Sequence, residues 1–393
     1  IKKALKGSKR PLIVVGSGIK LSNQEKQAIN FIKKLNIPFV TTWSTVDMFT
    51  SSFEKLVGSF GVSSNRPGNF AVQSCDLLIS LGSRLDTHMT GANAAKFSTK
   101  SFKVMVDIDK KELNKKDLAI NLKINCDARY FLEKLYKYIK KFKKNNKWIN
   151  YCQNLKAKYP VVINSMINQN KYVNSYYFVD KLSEVMSKKD IIITDMGFSF
   201  TSTHQAIKVK KGQIFHTNSG HAPMGWGLPA AVGAFFAKKN TTKNRVICLT
   251  GDGGFQLNIQ ELATVMHHKI PMKIFIFNNG GYLTIKQTQQ LGFNGRIMGA
   301  DNKSGLSFPN YQKLAQTYKM NYLKAKSNKN LIKTIKMAIN SKGASICELI
   351  MDPDEEQIPK AINKRTPEGK SVPTKLEDMY PFLSKQELNS NNY

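Results

Sequence analysis

Short runs of aliphatic and β-branched residues alternate with helix-length stretches along nearly the whole chain, and this alternation restricts the fold more than any other feature. Leu12–Val15, Phe39–Thr42, Leu77–Leu81 and Val104–Ile108 read as strands, separated by helical stretches such as Gln24–Leu35. A second series follows. Phe178–Met186 is helical, Ile191–Thr194 a strand, Pro229–Ala237 helical, Val246–Thr250 a strand, Ile259–His267 helical and Lys273–Phe277 a strand. Pro309–Tyr318 and Leu331–Ile339 are helical, and Ser345–Ile350 closes the series. Continuous apolar strands alternating with helices imply parallel sheets covered on both faces. The expected fold class is therefore α/β, with two doubly wound parallel-sheet domains. We assign them to 1–150 and 175–351, with a linker over 151–174 and a C-terminal arm over 352–393.

The 393 residues suit two domains of ordinary size. The chain opens at Ile1 without an initiator Met and leads through a basic helical stretch straight into a strand, so we read it as starting partway through a longer protein. No hydrophobic run approaches the roughly 18 residues of a spanning helix, which predicts a soluble protein with no membrane partner. Five widely spaced cysteines in apolar surroundings suit reduced core thiols and a cytoplasmic location. The net charge of +33 invites a nucleic-acid reading. However, only seven of the 60 basic residues are Arg, and the densest block, Lys137 to Lys147, reads as a charged helix end or linker. We take the charge as a solvated lysine coat and expect no nucleic-acid partner.

Chemistry concentrates in two turns. Gly251-Asp252-Gly253-Gly254 follows one apolar strand, and Asn278-Asn279-Gly280-Gly281 follows the next, after a stretch long enough for one helix and one strand. Both turns thus fall at the carboxyl ends of parallel strands, where open α/β sheets bind ligands. Glycine beside Asp252 lets the backbone approach an anion, and a helix starting near Phe255 points its amides the same way. Magnesium takes oxygen ligands and shares them with phosphates and water. Asp252, the Asn279 amide oxygen and the Gly281 carbonyl supply three such positions. A plain crossover with Asp and Asn as turn residues explains the first turn alone, but not the paired Asn turn at this spacing.

With these residues in view, the chain resembles the thiamine-diphosphate enzymes of the acetolactate synthase family. Gly251-Asp252-Gly253 with Asn278-Asn279 is similar to the family's cofactor signature, and Gly254 to Leu262 to the acetolactate synthase version of it. The resemblance implies metal ligation by Asp252, Asn279 and Gly281, and cofactor contacts from Gly251, Gly253, Gly254, Tyr282 and Leu283. Thr194 to Ser199 resembles the other diphosphate loop, carrying contacts onto Gly197, Phe198 and Ser199. Ser219 to Ala231 is similar to the loop that bends the cofactor. There Met224 would wedge between the two rings and the Ala222 carbonyl would accept from the cofactor's amino group; the alternative for Met224 is a core gap-filler. His221, in the same loop, is a candidate for substrate contact or a structural hydrogen bond.

The first domain resembles the Rossmann-like central domain of the same enzymes, which in acetolactate synthase holds FAD. Leu81 to Gly91 and Val106 to Asp109 carry that resemblance and put flavin contacts on Arg84 and Asp107, although Thr87 and His88 depart from the usual Asp and Arg. Gly16-Ser17-Gly18 lacks the third glycine of a dinucleotide fingerprint, so a flavin site and a structural spacer both stay open. The family resemblance implies a carboligase using thiamine diphosphate and Mg2+, with pyruvate or another 2-oxo acid as donor, in a homodimer or tetramer with a composite site. Its activating Glu is expected in an N-terminal domain that this chain does not contain, so we expect the chain alone to be inactive. Thr288 stands where those enzymes carry a tryptophan, and Gly369 to Pro373 and Leu376 to Leu383 look more like relatives of nucleotide-sugar and polysaccharide pathways. That alternative, and a simple decarboxylase or oxidase, remain beside the first reading.

Overall fold

The computed structural model describes residues 1–138, 145–238, 245–365, 370–391 and 393. Gly369, and residues 139–144 of the lysine-rich block, lie outside the described residues. The chain divides into two compact units, one made of Ile1–Val161 with Ile358–Tyr393, the other of Val162–Gln357. Each is built on a six-stranded sheet in which every pairing is parallel.

In the first unit the strands are β1 (Pro11–Val15), β2 (Phe39–Thr41), β3 (Leu56–Ser59), β4 (Leu77–Leu81), β5 (Phe102–Asp107) and β6 (Leu122–Asn125), in the order β3-β2-β1-β4-β5-β6. The order reverses between β1 and β4, both of which are buried at every position. Helix Glu25–Leu35 turns Ala28, Phe31, Ile32 and Leu35 into the core at helical spacing. It stops at Asn36, whose left-handed backbone (φ 56°) lets its amide close onto the Ile32 carbonyl. Full burial of each such Phe, Ile or Leu contributes roughly 1.5–3 kcal/mol.

The second unit contains β7 (Ile191–Thr194), β8 (Ile214–Thr217), β9 (Val246–Gly251), β10 (Lys273–Asn278), β11 (Asn321–Ala325) and β12 (Ser345–Ile350), in the order β11-β12-β10-β9-β7-β8. From β7 the chain steps outward to β8 and then returns to the other side of β7 as β9. This reversal is the kind of switch point at which such sheets open a crevice at their carboxyl edge.

Of the stretch expected as a linker, residues 151–158 continue helix Asn146–Lys158 of the first unit, and Asn164–Ile167 is a short helix of the second. The C-terminal segment packs on the first unit. Leu376 and Met379 are buried, and the Asn69 side chain donates to the Leu376 carbonyl at 2.9 Å. Cys75, Cys152, Cys248 and Cys347 are buried and Cys126 half-buried, all as free thiols. Among the described residues no helix is long and apolar enough to cross a membrane.

Candidate functional site

Strands β7, β9 and β10 lie side by side, so the loops leaving their carboxyl ends share one edge of the second sheet. Asp252 opens the short helix Asp252–Leu257 and is 1% exposed. One carboxylate oxygen accepts the Gly253 amide at 2.7 Å, while the other accepts the Gly280 amide at 2.8 Å and the Gly281 amide at 3.2 Å. One side chain thereby joins the two glycine turns. Burial pushes the Asp252 carboxyl up to about 7, against the opposing pull of these amides.

The Asn279 amide oxygen is buried and accepts no hydrogen bond. An acceptor left that way costs roughly 1–3 kcal/mol, and a cation would relieve it. Gly280 supplies the left-handed turn (φ 74°) between Asn279 and Gly281. Gly281 is fixed from behind: it pairs with Asp301, and a Cβ there would fall 2.2 Å from the Ala300 carbonyl oxygen. Carboxylate, amide oxygen and main-chain carbonyl are hard oxygen donors of the kind magnesium or calcium takes. No group of three His, Cys, Asp or Glu able to hold a metal occurs among the described residues.

The glycines of the first turn have different causes. A Cβ at Gly251 would meet open space, which leaves room for a ligand. At Gly253 it would fall 2.1 Å from the ring of Tyr282, and at Gly254 2.4 Å from a carboxylate oxygen of Asp195. The chain's own side chains therefore demand two of these three glycines. Leu283, next to Tyr282, is buried and begins helix Leu283–Gly292, where Thr288 is exposed and donates its hydroxyl to the Thr284 carbonyl at 2.9 Å.

In the loop after β7, Gly197 (φ 81°) precedes helix Phe198–Ala206. Phe198 and Ser199 are buried, and the Ser199 hydroxyl donates to the Met196 carbonyl at 3.1 Å. What Gly197, Phe198 and Ser199 offer a ligand is main-chain amides, which lack intrahelical partners at a helix start. Ala222 is left-handed (φ 52°), His221 is exposed, and Met224 is 37% exposed, too open for a core gap-filler. The sequence reading passed over Asp195. The available signal was its place directly after β7, the same slot that Asp252 occupies directly after β9.

In the first unit, Arg84 and Asp107 sit at the carboxyl ends of the adjacent strands β4 and β5. Arg84 is ion-paired to Asp86 at 3.1 Å, and Asp107 accepts the Asp109 amide at 2.9 Å. Gly16 and Gly18 close onto Gly82, whose carbonyl oxygen would lie 2.2 Å from a Cβ at Gly16 and accepts the Gly18 amide at 2.9 Å. These groups are engaged within the chain, and none of them carries the orphaned acceptor seen at Asn279.

Comparison with known proteins adds two family matches. The central domain of thiamine pyrophosphate enzymes matches residues 1–135, and their C-terminal TPP binding domain matches residues 195–349. Among individual proteins, the chain is 30% identical over 364 residues to the acetolactate synthase large subunit of Cyanidium caldarium, covering 91% of this chain and 60% of that protein. It is 31% identical over 371 residues to a probable acetolactate synthase large subunit of Methanococcus aeolicus, with 90% and 60% covered. To the acetolactate synthase isozyme 2 large subunit of Escherichia coli it is 29% identical over 289 residues, with 74% and 50% covered.

Proposed function

The chain belongs to the thiamine pyrophosphate enzymes, whose central and C-terminal domains it carries, and from that premise we propose that the carboxyl edge of its second sheet holds the diphosphate of thiamine diphosphate through a magnesium ion. The observation that carries the reading is the buried, unpartnered oxygen of Asn279, one residue from the amides that Asp252 gathers. Asp252, Asn279 and the Gly281 carbonyl would hold the metal. The amides of Gly197, Phe198 and Ser199 would face the phosphates, with Gly251 leaving the space they need. Met224 would stand between the cofactor's rings and the Ala222 carbonyl would accept from its amino group; the exposure of Met224 supports this over core packing.

When bound, the cofactor supplies a carbon nucleophile that adds to a 2-oxo acid and takes up the electrons released on decarboxylation. The acetolactate synthase names of the relatives support a carboligase that passes the remaining fragment to a second carbonyl. The chain spans about 60% of the length of these relatives, and we extend the proposal to a composite site completed by a second subunit. Thr288, exposed where those enzymes carry a bulky ring, leaves room for an acceptor other than pyruvate. Acetolactate, acetaldehyde or acetyl phosphate as product from pyruvate would separate carboligase, decarboxylase and oxidase. The reading at the second sheet does not depend on a flavin at Arg84 and Asp107, which would take its contacts in the first unit where one is bound.

The first test is calorimetric titration of thiamine diphosphate with and without magnesium. Asp252→Ala removes the only carboxylate of the donor set and is expected to abolish the magnesium-dependent binding. Unchanged affinity in that variant would remove the metal assignment.

A further inference from the structure

We infer that Asp195 is a positioning residue that clamps the peptide following Met224, and so sets where Met224 stands. Its carboxylate is 1% exposed and collects donors from three separate segments. One oxygen accepts the Met196 amide at 2.8 Å and the Gly225 amide at 3.0 Å; the other accepts the Gly225 amide at 3.2 Å and the Thr250 hydroxyl at 3.0 Å. The Gly227 amide donates to the same carboxylate. The loop after β7, the loop that carries Met224, and the end of β9 therefore meet on one side chain.

Two glycines are shaped to admit it. A Cβ at Gly254 would lie 2.4 Å from its oxygen, and one at Gly227 would lie 2.9 Å from its Cβ. Gly225 is held from its other side as well, because its carbonyl accepts the Asn258 side-chain amide at 2.8 Å. Gly225 is left-handed (φ 82°), and a Cβ there would press on Leu257 and Asn258 at 2.8 and 2.9 Å. Both main-chain groups of the residue after Met224 are thus taken by side chains from neighbouring segments. Met224 itself is 37% exposed.

The role in cofactor binding rests on the function proposed above, but the clamp can be tested without any cofactor. Amide-hydrogen exchange on the full chain, resolved at residues 225–227, reads it directly. Loss of a hydrogen bond to a buried charge predicts exchange of the Gly225 and Gly227 amides about tenfold or more faster in Asp195→Ala, with β9 and β10 still protected. Asp195→Asn keeps an oxygen for the Gly225 amide and places its NH2 toward Thr250, whose hydroxyl can accept; it is expected to restore most of the protection. Asn258→Ala releases the carbonyl side and should loosen the same peptide even if Asp195→Ala does not fold. Unchanged protection at 225–227 in Asp195→Ala, or a loss spread evenly across the second unit, would overturn the clamp, and so would unchanged protection in Asn258→Ala. An intact clamp in a chain that binds no thiamine diphosphate would instead overturn the functional reading alone.

Discussion

Met224 leaves more than a third of its surface open to solvent, the surface that the proposed cofactor rings would cover. If thiamine diphosphate does so, burying the part of Met224 still open contributes roughly 0.5–1 kcal/mol to binding of its rings and nothing to binding of its phosphates. Wild type should therefore prefer thiamine diphosphate to inorganic diphosphate, and Met224→Ala should shrink that preference roughly two- to fivefold while leaving inorganic diphosphate affinity unchanged. An unchanged preference, read by competition titration, would assign Met224 no role at the rings. At this scale the sequence shows turn chemistry but not its cause. Gly251 to Gly254 reads as a glycine-rich turn, yet Gly253 is required by the ring of Tyr282, 29 positions on, and Gly254 by Asp195, in the loop after another strand. Such demands are tertiary and leave no local pattern, which is why Asp195 was missed while Asp252 and Asn279 stood out by their spacing.

Among elements, legibility followed burial. The strands read from sequence, β1, β2, β4, β5, β7, β9, β10 and β12, are the interior ones, buried on both faces and hence continuously apolar. Those passed over, β3, β6, β8 and β11, are the four sheet edges, where Lys, Asn, His and Gly interrupt the run, as in Asn321–Ala325 with the pattern NYLKA. Helix ends were legible to within a few residues, though not their caps. The start of helix Ser175–Val185 is an instance. Asn174 accepts the Tyr176 and Tyr177 amides, and Glu355, from far along the chain, accepts from the Asn174 side chain and from the Ser175 amide and hydroxyl. Burial pushes the Glu355 carboxyl up to about 7, against the pull of its Ser175 hydrogen bonds. A carboxyl whose folded value is raised favours folding in its protonated form, so that stability is present below the unfolded value of 4.5 and lost as pH rises through about 7. Chemical denaturation across that window should show wild type losing stability relative to Glu355→Gln as pH rises. Parallel pH profiles for the two proteins would contradict this.

For the whole molecule, the chain enters the first unit, leaves it for the second, and returns to finish the first. The returning segment buries Leu376 and Met379, and it supplies carbonyls to the Arg66 guanidinium, whose burial lowers its pKa. Truncation after Gln357 is therefore expected to destabilise the first unit by several kcal/mol, from two lost apolar anchors at roughly 1.5–3 kcal/mol each and an unpartnered buried cation. The thermal transition of the second unit should stay where it was. Calorimetry on the truncated chain checks this, and a single transition lowered as one would show that the units do not unfold separately. The central claim concerns the second unit, where loops from three neighbouring strands are held to grip a diphosphate through one metal ion. Replacing magnesium by Mn2+, which accepts the same oxygen ligands, and recording the phosphorus resonances of added thiamine diphosphate tests it most directly. Strong paramagnetic broadening of both phosphorus signals that depends on the protein, and that disappears in Asp252→Ala and weakens in Asn279→Ala, is the predicted result; broadening no greater than that of Mn2+ and cofactor in buffer, or equal in wild type and Asp252→Ala, would contradict it.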